Sequence, residues 1–383
     1  MTGTHSDPPD ELALVLTGGG ARAAYQVGLL CCLARRFPDL RIPILTGVSA
    51  GAINAAHLAN HRGTFAESVG ALVKIWTQLT TERIYRVDSR ELLTNVLRWA
   101  FSIVSGGSSA LPRVKGLVDT APLGELLVEV VRQGGREGGV DDNISSGRLQ
   151  AFAITATSYA TGQSVTWCQG REFEPWRRPN RRSVETSVSV DHVMASAALP
   201  LVFPAVFVEG AWHGDGGIRL ATPFAPALHL GADRILAIST RHQPPAREPE
   251  PEHAETYPAP VQVAGVMMNA VFLDALDQDA LTLERINKLV RALPPERRGD
   301  LREVDLFVLR PSVDLGKLAA DFEPDLPGVL RFLARGLGTR GLVSQDWLSM
   351  IMFEPDYLRA MMEIGEQDAE ARGDELEAFL KTS

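Results

Sequence analysis

A chain of 383 residues, 45% apolar and 22% charged, can bury a sizeable core as one large domain or two smaller ones, and its composition is not that of a disordered protein. A formal net charge of -9 argues against a nucleic-acid partner, which calls for a basic surface, and against capture by acidic lipid through charge alone. Any contact with lipid must then be mostly apolar.

Residues 1–10 are polar, with no basic start followed by an apolar run, so they read as a flexible segment and not as a secretory signal. No apolar run approaches the roughly 20 residues that span a bilayer, which suggests a cytoplasmic protein, peripheral at membranes or exported without such a signal. Of the three cysteines, Cys31 and Cys32 are adjacent and Cys168 lies far off. No spacing fits a metal site, and all three read as small buried side chains.

In chain order, 11–16 predicts a buried strand, with Leu12, Ala13, Leu14, Val15 and Leu16 in unbroken apolar succession. Thr17-Gly18-Gly19-Gly20-Ala21-Arg22 follows, then a helix over 23–36 with Tyr25, Leu29, Cys32 and Leu33 on one face. Three glycines between a strand and a helix N-terminus make a nest of converging N–H groups that stabilises negative charge. That charge would be either a nucleotide phosphate or the oxyanion of an acyl-transfer intermediate. The phosphate reading lacks a Gly-Lys-Ser/Thr ending. A tight turn without chemistry is the plainer alternative.

A second strand is predicted over 42–46, then Gly47-Val48-Ser49-Ala50-Gly51 and a helix over 50–61. A serine between two glycines at a strand-to-helix turn has the form of a nucleophile elbow, which lifts the hydroxyl above the sheet edge. Two strand-turn-helix units imply a parallel sheet, with both turns at the carboxyl ends of their strands. The nest and Ser49 should be neighbours.

Helical patterns follow over 65–79, 89–104 and 122–132. Residues 105–109 form a flexible break, and Trp99, Phe101, Ile103 and Leu111 read as core or as a lipid-facing lid. Strands are predicted over 149–157 and 163–168 as a hairpin-like pair, and 171–182 as a basic, solvated loop. A helix over 191–199 leads to an extended stretch from Phe203. Asp215, before Gly216 and Gly217, has the look of a hairpin turn. A helix over 223–230, a strand over 234–239, a proline- and acid-rich linker over 243–260, a long helix over 261–293, a strand over 304–309 and helices over 326–333, 345–352 and 356–372 complete the chain.

A serine needs a base. The order Ser, Asp or Glu, His of an α/β-hydrolase triad is disfavoured, because no histidine follows His253 in the linker. His57, His61, His192 and His229 read as structural or surface residues. His213, two residues from Asp215, stays a candidate.

Gly18-Gly19-Gly20-Ala21-Arg22, Tyr25-Gln26-Val27-Gly28-Leu29, Gly47-Val48-Ser49-Ala50-Gly51, Ala195-Ser196-Ala197-Ala198-Leu199-Pro200 and Asp215-Gly216-Gly217 together resemble the patatin-like phospholipase family in order and spacing. The resemblance covers roughly residues 11–240, and more loosely the part beyond 260. One departure is Ala23, where the family usually has glycine; the nest should survive it.

The resemblance implies a three-layer α/β/α fold with a mainly parallel sheet. The catalytic domain would be 11–240, the linker 241–260, and 261–383 a mostly helical part packed on the same domain. It also implies a serine lipid acyl hydrolase that needs no cofactor or metal and acts on phospholipids or other fatty-acyl esters, with peripheral contact to membranes or micelles. Ser49 would be the nucleophile and Asp215 the base, with Gly216 and Gly217 letting the base loop pack on the elbow. The oxyanion hole would be the loop of Gly18, Gly19, Gly20, Ala21 and Arg22, with the amides of Gly19, Gly20 and Ala21 holding the oxyanion and Arg22 fixing the loop or neutralising charge. A His-dependent esterase and a non-catalytic lipid- or nucleotide-binding protein are the alternatives.

Overall fold

The computed structural model describes residues 11–86, 116–131, 138–171, 173–243, 275–322 and 342–381. The sequence expectations for 89–104, 105–109, Leu111 and 326–333, for nearly all of the linker and for the first part of the long helix lie outside those residues.

The strands are β1 (Leu12–Leu16), β2 (Ile44–Val48), β3 (Ala151–Ser158), β4 (Ser164–Gly170), β5 (Arg177–Arg178), β6 (Arg181–Glu185), β7 (Val206–Val208), β8 (Ala211–Asp215), β9 (Arg234–Ile238) and β10 (Asp305–Leu309). They form one sheet in the order β10-β9-β1-β2-β3-β4-β6-β5, with β8 paired to the end of β3 and β7 to β8. From β10 to β3 the neighbours are parallel; β4 and β8 both run antiparallel to β3.

Alternation along the strands builds two cores. Leu12, Leu14, Leu16, Leu45, Phe152, Ile154 and Leu236 face one, while Ala13, Val15, Ile44, Ala153, Ile235 and Ala237 face the other. Burial on both faces is why these strands read as continuous apolar runs. The first face is covered by α1 (Ala23–Arg36), α2 (Ala50–Asn60), α3 (Phe65–Thr77), α4 (Thr81–Ile84), α5 (Ala121–Val131), α6 (Gly139–Ser145) and α7 (Val190–Ser196). The second lies under α8 (Ala225–His229) and α9 (Ala275–Ala292). The C-terminal helices α10 (Leu315–Asp321), α11 (Leu342–Ile351), α12 (Pro355–Ala371) and α13 (Gly373–Lys381) return to the first face. Here α12 lies against α1 so closely that a Cβ on Gly28 would stand 1.9 Å from the Met362 carbonyl oxygen. The fold is thus an α/β/α sandwich with a mainly parallel sheet. Among the described residues no helix is long and apolar enough to cross a membrane.

Several elements differ from the sequence reading. The second strand is shifted to 44–48, because its ladder with β3 runs on through Val48 and leaves only Ser49 between strand and helix. The basic stretch 171–182 is not all loop: β5 and β6 extend the sheet edge beyond β4. Helices α6, α10 and α13 lie where no helix was expected. The hairpin reading of Asp215 is overturned, since the turn of that hairpin lies at Glu209–Gly210 and Asp215 ends its second strand.

Candidate active site

Ser49 stands alone between β2 and α2 with φ 55° and ψ -132°, a strained conformation for a residue with a side chain. The turn closes this tightly because Gly47 and Gly51 lack side chains. A Cβ on Gly51 would stand 2.4 Å from the Leu16 and Thr17 carbonyl oxygens, and one on Gly47 would stand 2.6 Å from the Gly51 carbonyl oxygen. Val48 ends the strand and Ala50 opens the helix. The Ser49 amide donates to Ser196 Oγ at 3.0 Å, and that hydroxyl donates to the Thr155 carbonyl at 2.6 Å. Ser196 thus ties the elbow to β3 from within the core.

Asp215 reaches the same point from 166 residues away in sequence, carried by β8 where it pairs with β3. Ser49 Oγ donates to Asp215 Oδ2 at 2.6 Å, and the Gly217 amide donates to Oδ1 at 2.8 Å. Its backbone is held too, by N–H to the Ala198 carbonyl and by Thr157 Oγ1 donating to its own carbonyl. A Cβ on Gly216 would stand 2.0 Å from the Thr155 carbonyl oxygen, so only glycine allows the base loop to lie this close to the sheet. Asp215 is fully buried, and burial pushes its carboxyl up to about 7 against the opposing hydrogen bonds from Ser49 and Gly217.

The glycine loop runs beside the hydroxyl: a Cβ on Gly18 would lie 3.6 Å from Ser49 Oγ. Gly19 and Gly20 have φ of 147° and 57°, which glycine alone adopts freely. Among the described residues the amides of Gly19, Gly20 and Ala21 donate no hydrogen bond, and they head the helical segment that continues as α1. Ala23 takes φ -66° as the helix starts, so a methyl group there leaves the turn intact.

Arg22 is 2% exposed and not solvated. Its Nε donates to Ser349 Oγ at 2.6 Å and its Nη2 pairs with Asp346 Oδ1 at 2.5 Å, both on α11. The backbone of α11 also presses on the loop, since a Cβ on Gly20 would lie 2.0 Å from the Met350 carbonyl oxygen. On the other side Thr240 Oγ1 donates to the Gly18 carbonyl at 2.7 Å. A buried polar chain holds the residue before the nest: Trp76 to Asn54, Asn54 to Gln26, and Gln26 to the Thr17 carbonyl at 2.7 Å.

No local pattern in the sequence marks Thr240, Asp346 or Ser349 as supports of this loop. Only their distance in space reveals them. Ser196 lay within a motif but carried no assigned role.

Among the described residues no histidine is hydrogen-bonded to Ser49 or Asp215. His213 Nδ1 meets the Ala211 carbonyl at 3.1 Å, and its ring lies against Trp167. His57 is buried, binds the Ser68 carbonyl at 2.9 Å and is pushed down to about 4 by burial. His192 contacts Ser189 and Glu209, and His229 stacks on Trp176.

From Ser49 a narrow apolar cleft, with about 50 Å³ open to a water-sized molecule, runs between α2, α3 and α5, with Ile53, Leu72, Trp76, Leu126, Phe203 and Phe353 among its walls. A serine hydrogen-bonded to a buried aspartate at the carboxyl edge of the parallel strands, a glycine loop beside the pair and an apolar cleft leading from it together make up the candidate site.

The sequence profile of patatin-like phospholipases matches residues 14–228, more than half of the chain, and the protein belongs to that family. Membership sets it among lipid acyl hydrolases at the level of the family. No curated protein matches the chain in sequence.

Similar solved structures include VipD from Legionella pneumophila, 12% identical over 96% of this chain and 67% of that one, with a TM-score of 0.36. Human GIVD cytosolic phospholipase A2 in complex with methyl gamma-linolenyl fluorophosphonate is 14% identical over 97% and 59%, with a TM-score of 0.44. The type III effector ExoU, a Pseudomonas aeruginosa protein, is 16% identical over 90% and 78%, with a TM-score of 0.30. The chain spans about three fifths of the length of the human phospholipase chains.

Proposed function

We propose that the protein is a serine lipid acyl hydrolase, of phospholipase A, lipase or carboxylesterase type, that cleaves fatty-acyl esters through a Ser49–Asp215 dyad. The observation that carries this reading is the 2.6 Å hydrogen bond from Ser49 Oγ to a fully buried Asp215. An ordinary carboxylate is a weak base for a hydroxyl. Burial lifts Asp215 to about 7, where an acid and a base form are both accessible near neutral pH.

In the first step Oγ bonds to the ester carbonyl carbon as its proton passes to Asp215. The oxyanion is received by the free amides of Gly19, Gly20 and Ala21, each such donor being worth about 3 to 4 kcal/mol in the transition state. Collapse breaks the C–O bond to the alcohol, which takes the proton from Asp215 and departs. The acyl group remains on Oγ with its chain in the apolar cleft. Asp215 then takes a proton from water as the water oxygen bonds to the acyl carbon. Release of the fatty acid returns the proton to Ser49. The buried Arg22 stiffens the nest and adds positive charge near it.

The test is hydrolysis of p-nitrophenyl esters together with covalent labelling by a fluorophosphonate probe. Wild type is expected to do both, Ser49→Ala neither, and Asp215→Asn to lose turnover while keeping its fold. Turnover retained in Asp215→Asn but lost in His213→Gln would transfer the role of base to histidine. A wild-type protein inert to the probe would be a binder without an activated serine.

A further inference from the structure

At the amino ends of β2 and β3, the end of the sheet away from Ser49, a pocket opens between the last turn of α2 and the first turn of α3. About 270 Å³ of it is open to a water-sized molecule, and it shares no lining residue with the Ser49 cleft. Leu40, Leu45, Leu58 and Phe65 give it an apolar wall.

Two further residues of that wall are buried with a polar atom left over. Asn143, 4% exposed, uses both Nδ2 hydrogens on the end of α2, donating to the Ala59 carbonyl at 2.8 Å and to the His61 carbonyl at 2.9 Å. Those two bonds fix which way the amide points, and its Oδ1 has no partner among the described residues. Ser68, also 4% exposed, has its carbonyl engaged by His57, while its Oγ has no partner among the described residues. A buried polar atom without a hydrogen bond is costly, and two in the wall of one pocket are a pattern that a bound molecule would explain.

The rim is net positive. Arg41 and Arg148 form no ion pair among the described residues; Arg41 donates to the Gly147 carbonyl at 2.7 Å and Arg148 to the Arg62 carbonyl. Asp39 is the one carboxylate that lines the pocket among the described residues. His61 adds a neutral donor. Its Nδ1 accepts from the Gly63 amide at 3.0 Å, which leaves the proton on Nε2, and burial, with Arg148 nearby, holds the ring below its ordinary pKa against the pull of Glu67.

We propose that this pocket is a second binding site, separate from the Ser49 cleft, for a small carboxylic acid with an apolar body and one amide or hydroxyl donor. A single negative charge balances two guanidiniums and one carboxylate. The ligand's donor meets Asn143 Oδ1, its carboxylate accepts from Arg148, Arg41 and the Ser68 hydroxyl, and its apolar body lies on the leucines and Phe65.

The full chain is titrated with N-acetyl-L-leucine, which has the carboxylate, the amide N–H and the apolar body, by calorimetry and by NMR of the histidine rings. A Kd on the order of 1 mM or tighter is expected for a ligand of this size, with the His61 signal, assigned through His61→Gln, moving during the titration. Isocaproate, which lacks the amide, should bind about fivefold more weakly. The uncharged amide of N-acetyl-L-leucine should bind about tenfold more weakly than the acid. Arg148→Gln should weaken binding of the acid about fivefold or more and leave that of the uncharged amide unchanged.

Ser68→Ala keeps the proposal apart from folding. Removing a buried hydroxyl that has no partner should leave the ligand-free chain as resistant to heat as wild type, while the acid binds about fivefold more weakly. A hydroxyl that served only the fold would do the opposite. No heat of binding and no movement of the His61 signal up to about 20 mM ligand would overturn the proposal, and so would equal affinity for the acid in wild type, Ser68→Ala and Arg148→Gln. Turnover is not measured, so the result does not depend on Ser49 being a nucleophile.

Discussion

The two working parts of the candidate site are held by different means. The Ser49–Asp215 pair is built by the sheet and the helix beside it: Thr155 and Thr157 on β3, Ser196 at the end of α7 and Ala198 just after it fix both backbones. The glycine nest is held from outside by α11, through Asp346 and Ser349 on Arg22 and through the Met350 carbonyl against Gly20. These α11 residues lie beyond the 14–228 that match the family profile. The serine–aspartate pair is thus local to the sheet, and the glycine loop depends on a distant helix.

The sharpest break in that comparison is removal of the pair. Ser49→Ala and Asp215→Asn are each expected to lower kcat/KM for a p-nitrophenyl ester by about 10⁴-fold or more. Circular dichroism should show the fold retained. Loosening the nest should cost less: Asp346→Asn, or Ser349→Ala, is expected to lower kcat by about 10- to 100-fold with KM little changed, because the loop acts on the transition state. Unchanged kcat in both variants would mean that the loop holds itself.

The pH profile separates the parts further. Asp215 acts as a base only when ionised, so kcat/KM should rise about tenfold per unit up to a pH near its value of about 7 and level above it. Loosening of the nest should lower the plateau without moving the limb. A limb near 4 would show that Asp215 is not held up by burial.

A separate effect is on stability. In the unfolded chain the Asp215 carboxyl releases its proton near 3.8, but in the folded protein it keeps it to about 7. Its contribution is fully present below the lower value and is lost as pH rises through the upper one. Asp215→Asn should therefore be more stable than wild type at pH about 8, by at most about 4 kcal/mol, as read by denaturant unfolding. Equal stability at that pH would contradict the burial argument.

Much of this was legible in the sequence, though unevenly. The first strand, the nest, α1 and the elbow follow from apolar runs and glycine spacing, because those signals are local. The aspartate was different. From spacing alone Asp215-Gly216 looked like a hairpin turn, and only the family resemblance singled it out as a base. Neither β5 nor β6 was foreseen, since an edge segment with Arg177, Arg178, Arg181 and Arg182 has no apolar alternation to betray it. Arg22 was noted, but not its burial, because its partners lie more than 300 residues on and no pattern in the chain points to them.

That separation bears on how the protein is made. The elbow and the nest leave the ribosome long before the anchor of the nest, 327 residues further on at Ser349. A nascent or prematurely ended chain would carry the serine but not the tether that steadies the glycine loop beside it, and under the proposed mechanism it would be a slow hydrolase. A chain stopped after Asp321 that hydrolysed esters as fast as the whole protein would show that no such delay exists.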